Sequence, residues 1–364
     1  MHNARAGLSK AQRIVVKIGS RALAGERDLV AELGRQLAEL DDGKRSFVIV
    51  TSGAIALGCA RLGYRKRPKE MAKLQAAAAA GQSVLMQRYS EVLGKSGHVA
   101  AQVLLTHADL SDRERVNNAR QALAALLEAR AIPIINENDT VSTDEIRFGD
   151  NDQLAAMVAP LVSADLLLLL TDVDGVLDED GIRIPVMHDG AKLGTVRTEG
   201  PGTGGIRSKV DAAVKASRSG ATVVIGPALA PNVIADVISG EDVGTLFLPH
   251  PSALRARKHW IMYTLRPLGA VLVDDGAARA LRSGKSSLLP VGVLGVRGEF
   301  HVGDAVRLVT TDGSEIGRGL ARLPSTDVAR AAGKKGPDLE LLFGAHGNGK
   351  DVVVVHRDDL VVIS

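Results

Sequence analysis

Aromatic residues are almost missing from this chain: one Trp, three Tyr and five Phe in 364 residues, 2% of the total. A core of normal density must therefore be built from Ala, Val, Leu and Ile. Cysteine is rarer still. Cys59 stands alone, which excludes an internal disulfide, and no Cys/His group has the spacing of a zinc site. Its Ala/Leu-rich surroundings make Cys59 a small buried residue rather than a reactive thiol. Long hydrophobic runs are absent too. The Leu166–Leu170 run is far too short to span a bilayer, and the first ten residues hold no apolar segment of signal-peptide length. A cytoplasmic protein without a membrane role is expected. Neither sign of charge dominates: 45 Lys+Arg against 42 Asp+Glu give a net +3, too little to argue for a nucleic-acid partner.

What is present is an alternation of apolar strands and amphipathic helices over the first 250 residues. Arg13–Ser20 reads as a buried strand running into a Gly/Ser turn. Lys17 interrupts its apolar run. A buried ammonium is costly unless something anionic meets it or its stem carries it to solvent. Leu29–Leu40 has helical periodicity. Arg45–Thr51 is a second strand, and Ser52-Gly53-Ala54 turns it into a helix. Leu74–Met86, with Gln75-Ala-Ala-Ala-Ala-Ala-Gly-Gln82, is a strong helix former. Its small side chains permit close helix contact, inside the subunit or between subunits. His98–Leu105 is a strand, Asp112–Arg130 a helix with a solvated surface, and Ala131–Ile135 a short strand.

Asn136-Glu-Asn-Asp139-Thr follows that last strand at once. Carboxylates there suit an ammonium and amides suit a carboxylate; a polar turn would have the same composition. Asp150, Asn151 and Asp152 precede a helix from Gln153. They are favoured caps, but one cap would suffice. The Leu166–Leu170 strand ends in Thr171-Asp172. Pro201-Gly-Thr-Gly-Gly-Ile-Arg-Ser-Lys209 then runs glycines into the first turn of a helix. Close backbone approach, unpaired N–H groups and the helix dipole together make a seat for phosphate. Ala221–Ile225 and Gly244–Leu248 are further strands.

Such alternation predicts an α/β three-layer sandwich with a mainly parallel sheet. Polar and glycine clusters fall at its strand ends, the pattern of one site across the carboxyl edge. The predicted domains are 1–250, a linker at 251–268, and a small, mostly β unit at 269–364, where short Val-rich strands alternate with Gly and Asp turns.

Two familiar spellings fail in context. Gly200–Gly205 reads G-x-G-x-x-G, but a long loop precedes it and no acidic residue ends the next strand, as the dinucleotide fingerprint requires. Gly344–Lys350 reads G-x-x-x-x-G-K, yet Asp351 replaces the Ser/Thr that would meet Mg²⁺ and a strand follows.

Taken together, Lys17-Ile-Gly-Ser, Thr51-Ser-Gly-Ala-Ile-Ala, Ile135-Asn-Glu-Asn-Asp, Gly149-Asp-Asn-Asp, Thr171-Asp172 and Gly202–Lys209 resemble the amino-acid-kinase family. Within it they are most similar to the glutamate 5-kinases that begin proline synthesis. The tail resembles the PUA domain, a mostly-β pseudo-barrel. The resemblance implies ATP-dependent phosphorylation of the γ-carboxylate of L-glutamate, with Mg²⁺. Lys17 and Lys209 would contact the phosphates and the transferring group, and Asp152 would orient both. Ser52, Asp139 and Asn151 would hold glutamate, with Asn136 nearby. Thr171, Asp172, Thr203, Gly204, Gly205, Ile206, Arg207, Ser208 and Lys209 would hold the nucleotide. No protein metal ligand is assigned. The loop before Gly202 is short for the family, and Arg207 and Ser208 vary within its motif. The resemblance further implies a homo-oligomer (dimer or tetramer), proline as feedback inhibitor, and a glutamyl-phosphate reductase to take the product.

Two rival functions remain at this stage. A kinase of another small acid would share the fold, although the Asn136–Asp139 and Asn151 pocket favours glutamate. An RNA-binding role through the tail is disfavoured: residues 269–364 hold 12 Lys+Arg and 12 Asp+Glu, with Phe300 and Phe343 as their aromatics. A neutral surface with few stacking platforms is a poor RNA binder.

Overall fold

A computed structural model of the chain describes residues 2–19, 28–142, 151–188, 205–250, 258, 261, 262, 265, 267–283, 286–343 and 352–363. The chain divides into two compact units, Met1–Ala253 and Leu254–Ser364.

The N-terminal unit is built on seven strands: β1 (Arg13–Ile18), β2 (Ser46–Val50), β3 (Ala100–Leu105), β4 (Ile132–Glu137), β5 (Leu166–Thr171), β6 (Thr222–Pro227) and β7 (Thr245–Phe247). Their order is β3-β4-β2-β1-β5-β6-β7. Every neighbouring pair is parallel except β6–β7. A parallel sheet is covered on both faces, so its strands can be apolar throughout. Accordingly Ile14, Val15 and Val16 of the central β1 and Leu166–Leu169 of β5 have no exposed surface.

The helices are α1 (Leu29–Leu40), α2 (Ala54–Arg61), α3 (Met71–Gly94), α4 (His107–Ser111), α5 (Arg113–Glu128), α6 (Asn151–Leu161), α7 (Ile206–Arg218) and α8 (Val233–Ser239). Asp28 caps α1, its side chain accepting from Ala31 N. On one face of the sheet Ile14, Val16, Ile49 and Leu168 pack with Leu33 and Leu37 of α1 and Leu85, Tyr89 and Leu93 of α3. Aliphatic side chains thus supply most of this core, as the composition requires.

Helix α3 is longer at both ends than its periodicity suggested, and its small residues meet α2 inside the subunit. A Cβ on Gly58 would lie 1.7 Å from the carbonyl oxygen of Ala77, and one on Gly81 would lie 1.7 Å from that of Ala54. The two helices cross with their backbones nearly touching. Gly53, at φ 95°, makes the turn from β2 into α2, a conformation that glycine adopts without strain.

In the C-terminal unit β8 (Gly269–Val273), β9 (Val293–Arg297), β10 (Ala305–Val309), β11 (Glu315–Ala321) and β12 (Val355–Val362) form a sheet in the order β12-β11-β10-β8-β9. Helices α9 (Asp275–Arg282), α10 (Ser325–Ala331) and α11 (Gly336–Phe343) accompany it, more helix than the sequence pattern suggested. Strand β11 escapes a reading by propensity because Gly317 and Gly319 break its pattern. Both positions demand glycine: a Cβ would lie 2.4 Å from Val361 O at the first and 2.3 Å from Val355 Cγ1 at the second. Strand β12 runs unbroken from Val355 to Val362 and pairs with β11 across a register shift. Part of the expected linker belongs to this unit. Ile261, Met262 and Leu265 are buried with Ala305, Leu320 and Val361.

The α2–α3 crossing gives a sharp test. Gly81→Ala should lower the unfolding free energy by about 3 kcal/mol or more, because backbone and not a flexible side chain must yield. Gly94→Ala, where a Cβ meets nothing within 4 Å, should be neutral or stabilise by up to ~1 kcal/mol. Urea denaturation of both variants checks the contrast.

Candidate active site

Parallel strands bring several chain segments to one edge, and the polar strand ends gather there. Lys17 is the penultimate residue of β1, paired with Val50 of β2 and Leu169 of β5. Its side chain is buried, and Nζ lies 2.5 Å from Oδ1 of Asp152. Asp152 is the second residue of α6 and is 1% exposed. Its other oxygen, Oδ2, accepts from Lys209 Nζ at 2.7 Å. Lys209 sits in the first turn of α7 and is the less buried of the two lysines. One carboxylate thus holds two ammonium groups delivered by a strand and by a separate helix.

The electrostatics follow from that count. Burial pushes the Asp152 carboxyl up, but Lys17 and then Lys209 outweigh it by charge and hydrogen bonding, and its pKa ends below the ordinary carboxylate value. Asp152 stays ionised, and the cluster keeps one positive charge in excess. An excess cation in a low-dielectric setting is a seat for an anion that arrives with charge to lose.

Beside Asp152, Asn151 points into an amide network. Its Nδ2 approaches Thr51 O at 2.5 Å, Ser52 Oγ at 2.9 Å and Asn136 Oδ1 at 2.9 Å. Asn136 in turn donates from Nδ2 to Gln82 Oε1 at 2.8 Å, and its Oδ1 accepts from Glu137 N. Asn136 and Asn151 are 2% and 7% exposed. The Asn and Asp that open α6 therefore face the site and do not serve merely as caps. Ser52, Asn136, Asn151, Asp152, Lys17 and Lys209, proposed from five separate stretches, meet in one place. Asp139 is half-buried in the turn just after β4.

Thr171 ends β5 and donates from Oγ1 to Asp172 Oδ1 at 2.9 Å. It lies one step beyond the Ile18–Leu170 pairing, on the same edge. Gly205 opens α7 with no side-chain cap, so the first-turn N–H groups of Ile206 and Arg207 have no capping side chain. Ser208 N donates back to Gly205 O at 3.0 Å, and Arg207 is exposed. Thr203 and Gly204, like Ser20, Gly149, Asp150 and Gly202, lie outside the described residues, as do Gly200 and 344–350 of the two rejected spellings. Among the described residues no group of His, Cys, Asp and Glu could hold a metal ion.

Sequence reasoning missed the residues that brace this site. Gln153 donates to Ser208 O at 3.2 Å and accepts from Lys215 at 2.5 Å, tying α6 to α7 beside the Asp152–Lys209 pair. Thr51 shares a hydrogen bond of 3.0 Å with Tyr89, whose burial pushes its pKa up to about 12. Gln82 was legible only as a polar residue in an alanine-rich helix.

Comparison with known proteins gives the family. The profile of the Amino acid kinase family matches residues 12–226, and that of the PUA domain matches residues 269–341. A Glutamate 5-kinase of Thermus thermophilus is 46% identical over 370 residues, covering 98% of this chain and 99% of that protein. Proteins of the same name from Trichlorobacter lovleyi and Myxococcus xanthus are each 44% identical, over 372 and 374 residues, at 98% or more of both partners.

Neutralising Asp152 should expose what it holds. Asp152→Asn should cost on the order of 3 kcal/mol of stability at pH 7, since the buried Lys17 ammonium and the partly buried Lys209 ammonium lose their counter-ion. The sign with pH follows from the depressed pKa. The stabilisation is complete above the unfolded value near 4 and fades as pH falls through the lower folded value. The gap between wild type and variant in urea melts should therefore be narrower at pH 3.5 than at pH 7 without closing, because the folded carboxylate is still largely ionised there.

Proposed function

The chain belongs to the amino acid kinase family, and we propose that it transfers the γ-phosphoryl group of ATP to the γ-carboxylate of L-glutamate, the first step of proline synthesis from glutamate. The observation that carries this reading is the Lys17–Asp152–Lys209 cluster with the Asn151–Asn136–Ser52 amide cluster directly beside it. One seats phosphate and the other seats a small polar acid.

The reaction needs no general base. A carboxylate is ionised at neutral pH, and one of its oxygens attacks the γ-phosphorus while the bond to the β-phosphate oxygen breaks. The electron pair leaves with ADP, and the product is an acyl phosphate. Catalysis then rests on in-line positioning and on charge cancellation over the transferring oxygens. Lys17 and Lys209 supply that positive charge from two sides, and Asp152 holds one on each oxygen and aims both. Ser52, Asn136, Asp139 and Asn151 hold glutamate. Thr171, Asp172 and the Thr203–Lys209 segment hold the nucleotide, with the uncapped start of α7 offering N–H donors to its phosphates. Mg²⁺, which readily keeps water ligands, would travel with the phosphates.

The wider setting belongs to the same reading. Glutamyl phosphate is labile, so a glutamyl-phosphate reductase is the expected consumer. The enzyme is a cytoplasmic homo-oligomer, and proline inhibits it near the glutamate pocket. No described helix is long and apolar enough to cross a membrane.

Trapping the product with hydroxylamine tests the reaction: a hydroxamate should form only with ATP and glutamate together, and not with aspartate or acetylglutamate. Lys17→Ala and Lys209→Ala should each lower kcat by about 10²–10³-fold while the KM for glutamate changes less than about threefold. Near-normal turnover in either variant removes that lysine from the mechanism. A bulky residue at Gly205 should instead raise the KM for ATP more than that for glutamate, by steady-state kinetics with each substrate varied in turn.

A further inference from the structure

The amide network beside the ion cluster ends on a donor with nothing to bond. Its orientation can be fixed from the backbone outward. The N–H of Glu137 can only donate, so the Asn136 atom 2.9 Å away is its oxygen. Asn136 must then offer its NH₂ to Gln82, and the Gln82 atom 2.8 Å from it must be the carbonyl oxygen. The same logic fixes Asn151, whose NH₂ faces the Thr51 carbonyl. Neither Asn136 nor Gln82 can flip without setting donor against donor. What is left over is Nε2 of Gln82, a buried donor with no partner among the described residues. Gln82 is 8% exposed, and a buried amide donor without an acceptor is destabilising.

Position is fixed as firmly as orientation. Gln82 follows Gly81, whose contact with Ala54 locks α3 against the start of α2, two residues from Ser52. The order outward from the lysines is Asp152, then its neighbour Asn151, then Asn136, then Gln82. A substrate that presents its reacting carboxylate to the lysines would extend its other end along this row.

We propose that Gln82 is a substrate-binding and specificity-determining residue, whose Nε2–H donates to the α-carboxylate of L-glutamate. The proposal rests on the glutamate reading above. It explains why a polar side chain stands at this point of an alanine-rich helix, and it makes the pocket select an acceptor at the non-reacting end of the substrate.

Gln82→Glu is the discriminating variant. Ionised at pH 8, it keeps an oxygen for Asn136 but replaces the loose donor with a negative acceptor. The full-length enzyme is assayed by hydroxamate formation with L-glutamate and with its α-amide, L-isoglutamine. Expected are a rise of at least tenfold in the KM for glutamate, a KM for ATP within twofold of wild type, and a gain of at least tenfold in the kcat/KM ratio of isoglutamine to glutamate. A merely structural glutamine would not invert that preference. A folded variant with a glutamate KM within twofold of wild type overturns the proposal, as does an unchanged preference. Should Gln82→Glu fail to fold, Gln82→Met, which fills the same space with no donor, decides by its glutamate KM alone. Wild type that forms no hydroxamate from glutamate sinks the functional reading itself; active wild type beside a variant with unchanged glutamate KM and preference sinks only the role of Gln82.

Discussion

Everything at the carboxyl edge depends on one buried carboxylate. Asp152 holds Lys17 from the central strand and Lys209 from the first turn of α7. Each ammonium alone would be expensive to bury at a strand end. Together around one carboxylate they are affordable, and they leave a single positive charge in excess. In the proposed mechanism that excess is the functional quantity. A fully neutral cluster would have no pull on a phosphoryl group, and two unpaired lysines would repel each other out of register.

The rest of the N-terminal unit reads as support for that geometry. A sheet parallel across its first six strands in spatial order sends its carboxyl ends to one side, so segments far apart in sequence meet without any long-range loop. Gln153 doubles the α6–α7 tie next to the ion pair. The glycine-to-backbone contact of α2 with α3 fixes the segments that carry Ser52, which bonds Asn151, and Gln82, which bonds Asn136. Precision here comes from rigid elements and backbone contacts, and few aromatic anchors are available to provide it otherwise. The C-terminal unit achieves its own close contacts the same way, with glycine on β11 lying against β12.

Much of this was legible in the chain itself. The strand carrying Lys17, the Leu166–Thr171 strand, helix α1 and the glycine start of α7 fall where apolar runs, periodicity and caps put them. The polar residues at the strand ends, Ser52, Asn136, Asn151 and Asp152, were legible as candidates, and the structure gathers them with the two lysines at one edge. Three things were not legible. Strand β11 was hidden by glycines whose need arises from β12, more than thirty residues further on. The added helices α10 and α11 of the C-terminal unit are short, and short amphipathic stretches give weak periodic signals. The bracing residues Gln82, Gln153 and Tyr89 lie inside helices, where one polar residue looks like any other.

By itself, then, the sequence determined the alternating α/β plan, the aliphatic core, the exclusion of an internal disulfide, and the set of polar strand ends at which the site is proposed. Those properties are local: they follow from periodicity, residue size and the cost of burying charge. Only the tertiary structure decided that Lys17 and Lys209 share the one carboxylate of Asp152, that the alanine-rich helix closes on α2 inside the subunit, and that the amide row ends on a Gln82 nitrogen with no partner among the described residues. Each is a meeting of atoms distant in sequence, and hydrogen-bond direction and van der Waals contact exist only once the fold has brought those atoms together.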